Sequence, residues 1–250
     1  MDVRAAGMTL PGASHWRFPD PSTADEDGVV GFGADLQPET LMHAYRQGIF
    51  PWPYPGVPLP WFSPDPRGVI PLDGLRVSRS LRQRLRRCGF QSTVDRDFAA
   101  VVAACAERHR VEGTWIVPEM QAAYLRLHRL GQAHSLEVWQ GDELVGGLYG
   151  IGVGAVFTGE SMFHRVSDAS KMALVDLVAR LAEAGAWLID VQLVTPHLAS
   201  MGARPMPRRD FLALLRRARD LPVRLPEDRC PVARLVPPGS RLPARPAGTS

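Results

Sequence analysis

The chain has 250 residues, 45% hydrophobic and 22% charged, with a formal net charge of +3. That content is enough for a sizeable core, and no run of about 18 apolar residues exists to span a bilayer. Three cysteines, Cys88, Cys105 and Cys230, lack C-x-x-C or zinc-like spacing, which argues against a disulfide framework and a cysteine metal cluster.

The opening M-D-V-R-A-A-G-M-T-L is too polar for a secretory signal, so a cytoplasmic location is expected. Residues 1–27 mix proline, aspartate and small residues, and 237–250 lack apolar periodicity; both ends are expected to fray or lie loosely on the surface. A glycine-rich turn then leads to a short helix over 38–47, stopped by Gly48. From Gly48 to Gly68 prolines forbid regular ladders, while Phe50, Trp52, Tyr54, Trp61 and Phe62 carry too much apolar surface to face water. This segment reads as a packed wall joining a small N-terminal domain to the main one.

Apolar spacing then predicts helices over 78–87, 96–106 and 117–130, the last closed by Gly131. H-S-L-E-V-W, a Q-G-D-E turn, L-V-G-G-L-Y-G and A-V-F-T-G-E-S-M-F read as three strands of an antiparallel meander. A helix over 168–184 follows, with Ser167 as its N-cap and Gly185 near its end. After it come the strand A-W-L-I-D-V-Q-L-V, a short helix in T-P-H-L-A-S-M-G and a last one in P-R-R-D-F-L-A-L-L-R-R-A. This order gives an α+β core with a mixed sheet.

Asp190 and Gln192 interrupt the apolar stretch L-I-D-V-Q-L. Two residues apart on a strand, they project from one face, either as a satisfied structural pair or as a site. Glu160, in F-T-G-E-S-M-F-H-R, is an edge residue or a ligand; beside Asp190 and Gln192 it would complete a ring of oxygens around an apolar cavity, suited to a cation and a proton. L-R-V-S-R-S-L-R-Q-R-L-R-R places Arg76, Arg79, Arg82 and Arg86 in a segment with no acidic residue, a solvated helix face or a grip on a phosphate backbone. All other basic charge is arginine too, apart from Lys171. Glycines 146, 147, 150, 152 and 154 fall within and between strands, so they mark bulges or close approaches and not a nucleotide loop. The histidines have no H-E-x-x-H spacing, which weakens a zinc hydrolase reading.

Twelve motifs in order carry a resemblance, among them G-I-F-P-W (48–52), W-F-S-P-D-P-R (61–67), E-G-T-W-I (112–116), A-Y-L-R-L-H (123–128), G-E-S-M-F (159–163), L-I-D-V-Q (188–192) and H-L-A-S-M-G-A (197–203). The chain resembles the leucyl/phenylalanyl-tRNA–protein transferases. That resemblance implies a small N-terminal domain and a catalytic domain like the GCN5-related N-acetyltransferases, placed here over 1–66 and 67–236; the tail over 237–250 lies outside it and is expected from its composition to be disordered. It implies transfer of leucine, or phenylalanine and methionine, from leucyl-tRNA or phenylalanyl-tRNA to proteins beginning with arginine or lysine, marking them for degradation. A monomer with no metal, no tightly bound cofactor and no membrane association is expected.

By the same resemblance, Gln192 accepts or relays a proton while Asp190 polarises it, with Asp190 itself or a ribose hydroxyl as the alternative; a carboxylate can pair bidentately with an N-terminal guanidinium, which makes Glu160 or Asp190 the candidate for acceptor binding. Trp52 and Trp115 stack on the terminal adenosine; Tyr124, Leu148, Phe157, Met162 and Ile189 wall the aminoacyl pocket. Two alternatives stand beside this reading. An acetyl-CoA-dependent acetyltransferase needs a glycine-bearing pyrophosphate loop, and no glycine lies between Phe163 and Lys171. A non-enzymatic tRNA-binding module would leave the Asp190, Gln192 and Glu160 constellation unexplained.

Overall fold

Long apolar alternation with glycine-bearing two-residue turns builds the centre of the molecule, here a computed structural model that describes residues 12, 14–108 and 115–236. Strands β6 (Ala133–Gln140), β7 (Glu143–Val153) and β8 (Val156–His164) form the expected meander. Its turns rest on Gly141 at φ 62° and Gly154 at φ 60°, a region glycine enters without steric cost.

The meander is the middle of an eight-stranded sheet. On one side it continues through β5 (Gln91–Val94) to β11 (Cys230–Pro231). On the other it continues through β9 (Leu188–Gln192) and β4 (Arg67–Pro71) to β10 (Arg204–Met206). Every pairing is antiparallel except β8 with β9, so the sheet is mixed, as the sequence order predicts.

Each face of the sheet carries its own helices. Helix α3 (Phe98–Arg108), α4 (Pro118–Arg129) and α7 (Arg208–Ala218) bury Val101, Tyr124, Phe211 and their neighbours on one face. The other face is covered by α2 (Arg79–Arg87) and α5 (Ala169–Glu183), through Leu81, Leu85, Met172 and Leu177. A small N-terminal domain adds β1 (Val29–Phe32), α1 (Pro38–Tyr45), β2 (Phe50–Pro51) and β3 (Pro60–Phe62), with β3 between β1 and β2. Its Leu41, Ile49, Phe50 and Trp61 join the core on the α3 and α4 side.

Three expectations need correction. Prolines do not abolish the ladder in the aromatic segment: Phe50 pairs with Phe62 and Pro51 with Trp61, because a two-residue edge strand can spare a donor. Asp168, not Ser167, is the N-cap of α5; its backbone is left-handed at φ 66° and its side chain caps nothing. Strand β9 stops at Gln192, leaving Leu193 and Val194 exposed. Residues 237–250, where a loose tail is expected, lie outside the described residues.

The strand glycines mark close approaches, as expected. A Cβ on Gly146 would stand 2.5 Å from Cβ of Ala169, so α5 lies directly on β7 there. Gly146→Ala is expected to lower unfolding free energy by about 1–3 kcal/mol, the usual cost of overpacking, as measured by urea denaturation.

Candidate active site

The site begins with an arginine that has no access to water. Arg67, at the start of β4, is 1% exposed, and its guanidinium lies between the rings of Phe50 and Phe211, 4.8 and 4.7 Å from their centroids. Its Nε and Nη2 donate to the two carboxylate oxygens of Asp190 at 2.7 and 2.6 Å, and Nη1 donates to the carbonyl of Gly48 at 3.0 Å. A planar cation buried this way needs such a fork of acceptors.

Asp190 in turn fixes the end of β9. Its Oδ1 accepts from the backbone N–H of Gln192 at 3.0 Å, and Gln192 adopts φ 58°, a left-handed conformation that a non-glycine residue takes at a cost. A tight turn closes there, with Leu193 N–H donating to the carbonyl of Val191. Gly68 makes room for it, since a Cβ would meet the carbonyl carbon of Leu193 at 2.7 Å. Asp190 therefore touches Gln192 through the backbone and not, as expected, through the side-chain amide.

Glu160 arrives by another irregularity. Tyr149 pairs with Ser161 and Gly150 with Gly159, so Glu160 is the extra residue of a bulge, a device that re-aims a side chain. Its carboxylate accepts from the hydroxyls of Tyr124 at 2.7 Å and Tyr45 at 2.9 Å, and Nε2 of Gln192 lies 3.4 Å away. Burial is the main cause that pushes its acid constant up to about 7; the two phenols and Arg67 pull against that, and the Asp190 charge adds to it. Burial also raises both tyrosines well above their usual range, so they remain donors.

Strands β8 and β9 pair only over Val156–Thr158 and Leu188–Asp190, and beyond that point they separate. Between them opens a cavity of about 610 Å³ beside the first turns of α5. Leu148, Met162, Leu174, Leu177 and Ile189 supply apolar wall, and Glu160 and Gln192 supply its polar groups near the bulge. Trp52 and Trp115 line it together, their rings 5.3 Å apart at 31°. Among the described residues, no cluster of three or more His, Cys, Asp or Glu side chains is arranged to hold a metal, and no helix is long and apolar enough to cross a membrane.

Two side chains expected at the pocket are elsewhere. Phe157 belongs to the stretch where β8 and β9 are still paired, and it borders a separate small cavity beside Leu181. Tyr124 stands behind the wall, bonded to Glu160 and packed edge-on against Trp115. The carboxylate of Asp190 is also off the wall, both oxygens being taken by Arg67. Of the basic stretch, Arg76, Arg79 and Arg86 are exposed and Arg82 is half-buried. Arg76 N–H donates to the carbonyl of Met201, at the end of helix α6 (Pro196–Ser200), whose His197 and Leu198 line the cavity. Sequence reasoning missed Arg67, Tyr45, Leu174 and Leu177. An arginine opening the otherwise apolar R-G-V-I-P was the available signal for the first.

Family models and similar sequences point to one family. A family model described as "Leucyl/phenylalanyl-tRNA protein transferase" matches residues 69–216, and a second, described as that transferase's N-terminal domain, matches 34–65. A protein named leucyl/phenylalanyl-tRNA–protein transferase from Chromohalobacter salexigens is 57% identical over 192 residues, covering 76% of this chain and 75% of that one. One of the same name from Anaeromyxobacter sp. (strain K) is 52% identical over 207 residues, 82% of this chain and 89% of its own. A third, from Nitratidesulfovibrio vulgaris, is 50% identical over 216 residues, 86% and 92% of the two chains.

Asp190→Ala would leave the Arg67 guanidinium buried without its anion. It is expected to cost about 3–5 kcal/mol in urea unfolding, while the paired change Arg67→Met with Asp190→Leu recovers most of that loss.

Proposed function

This chain belongs to the leucyl/phenylalanyl-tRNA–protein transferases, and on that premise we propose that its cavity joins an aminoacyl ester to the α-amine of a protein beginning with arginine or lysine. The donor is leucyl-tRNA or phenylalanyl-tRNA, with methionine also accepted, and the products are marked for degradation. Support comes chiefly from one observation: a near-neutral carboxyl, Glu160, on an apolar cavity wall beside a conformationally strained amide, Gln192.

The amine nitrogen attacks the ester carbonyl carbon, the C–N bond forms, and the ribose oxygen leaves with a proton. A peptide α-amine has an acid constant near 7.7–8.0, so only about a tenth is neutral at pH 7 and a proton acceptor is needed. Glu160 takes that part, because its own constant of about 7 leaves it half ionised at neutral pH. Nε2 of Gln192 faces Glu160, leaving its carbonyl oxygen for an N–H of the incoming amine. Asp190 acts through geometry, holding the Gln192 backbone in its turn. The Glu160 charge also favours a cationic first residue on the acceptor.

On this reading the aminoacyl side chain enters between Leu148, Met162 and Ile189, and Trp52 and Trp115 carry the terminal adenosine; a base on an aromatic face contributes about 1–3 kcal/mol. Arg76, Arg79, Arg82 and Arg86 hold the acceptor stem by its phosphates. We assign the main domain, from residue 67, to the GCN5-related N-acetyltransferase-like architecture, supported by the mixed sheet whose two parallel strands separate over the cavity. A cytoplasmic location fits these substrates.

Radiolabelled leucyl-tRNA is expected to transfer label to a peptide beginning with arginine and not to one beginning with alanine; transfer indifferent to that residue would refute the reading. The rate should rise with pH through about 7 as Glu160 ionises, and Glu160→Gln should slow transfer on the order of a hundredfold or more and leave only the rise at about 7.7–8.0 set by the amine itself. Replacing Arg82 and Arg86 by glutamate should weaken tRNA binding and flatten its dependence on salt, measured by filter retention.

A further inference from the structure

The cavity is electrically two-ended. Glu160 and His164 lie four residues apart on β8, on the order of 10 Å of strand, and both line it. Around Glu160 the polar groups are its carboxyl, two phenols and the amide of Gln192. Around His164 they are basic. Arg108 Nη1 donates to His164 Nδ1 at 2.9 Å, and Ser170 Oγ is 3.5 Å from the same nitrogen. Lys171 and His197 line this mouth too. Asp168 is the one carboxylate lining this part of the wall among the described residues, and it faces Lys171 at 2.8 Å.

Two further observations give this mouth the character of an anion site. The first turn of the 15-residue helix α5 opens on it; its N-cap side chain, Asp168, accepts no N–H of that turn, and the N–H of Ala169 donates to the carbonyl of Val166, so the helix presents its positive end to the mouth without a capping carboxylate. Burial first, and then the fields of Lys171 and Arg108, hold His164 and His197 below the usual imidazole range, so the cations of this mouth are Arg108 and Lys171.

The chemistry of the donor says which anion meets it. An aminoacyl ester on a terminal ribose shares that ribose with the 5′-phosphodiester leading to the rest of the nucleic acid. A cavity that admits the ester therefore brings that phosphate to its rim. We propose that the mouth formed by Arg108, Lys171, His197 and the first turn of α5 is a subsite for the phosphodiester on the 5′ side of the terminal nucleoside. The assignment rests on the transferase reading and deepens it. Lys171, the only lysine of the chain, is 35% exposed on Asp168 and exchanges that carboxylate for the phosphate when the donor enters. Arg108 supplies the second cation from the end of α3, close in sequence to Trp115.

Calorimetric titration of the full chain with adenosine and with adenosine 5′-monophosphate tests this directly. The monophosphate is expected to bind at least about fivefold tighter, the effect of charge-assisted contacts to its phosphate. Lys171→Met combined with Arg108→Gln should erase that preference with adenosine affinity unchanged, and Lys171→Arg should retain it. Equal affinities for the two ligands in the unaltered chain, or a preference that survives the double replacement, would overturn the subsite. Inorganic phosphate binding as tightly as the monophosphate would overturn its assignment to a nucleic acid. Transfer from leucyl-tRNA, measured in parallel, bears on the transferase reading alone: absent transfer with an intact monophosphate preference would count against that reading and leave the subsite standing.

Discussion

The guanidinium of Arg67 has no solvent to answer its charge, and three separate parts of the chain must therefore converge on it. Gly48 and Phe50 come from the small N-terminal domain, Asp190 from the centre of the sheet, and Phe211 from α7. A buried ion pair of this kind contributes little net stability against a well-packed apolar substitute. What it contributes is geometry: two oxygens and three nitrogens in one plane admit a single arrangement of the segments that carry them. The left-handed turn at Gln192 hangs from the same carboxylate.

From that fixed point the cavity follows. Strands β8 and β9 are held together at Thr158 and Asp190, then separate because β9 turns away while β8 bulges at Glu160. The opening is lined by aliphatic side chains, and such a wall distinguishes poorly between apolar groups of similar size, since one methylene alters apolar affinity by only about 1–3 kcal/mol. Selectivity for the reacting groups is left to the few polar atoms at the edges. Glu160 can change ionisation near neutral pH because its two phenolic donors only partly offset its burial.

The parts of this molecule that are governed by local pattern were legible in its sequence. The meander and α5 follow from periods of 2.0 and 3.6 residues, whereas the face expected to be shared by Asp190 and Gln192 is interrupted by the left-handed backbone at Gln192, which puts Gln192 on the cavity and leaves Asp190 on Arg67. Strands of two to five residues, such as β11, β10 and β4, carry too little alternation to announce themselves, and their partners are distant. The bulge that turns Glu160 toward Tyr45 and Tyr124 sits where Gly150 meets Gly159; the glycines signalled an irregularity, but the register shift against β7 that decides which side chain is re-aimed is set by the pairing. Phe157 was misjudged for a related reason: only the pairing of β8 with β9 shows where the sheet ends and the cavity begins.

The left-handed backbone at Gln192 has a bearing on descent. Glycine would occupy that position without strain, and asparagine with less than glutamine, so backbone preference and side-chain chemistry pull in opposite directions there. A descendant of this fold that had abandoned acyl transfer would be free to relax to the easier residue. On the role proposed for Gln192, a glutamine retained in the αL region would mark an acyl-transferring member among related chains.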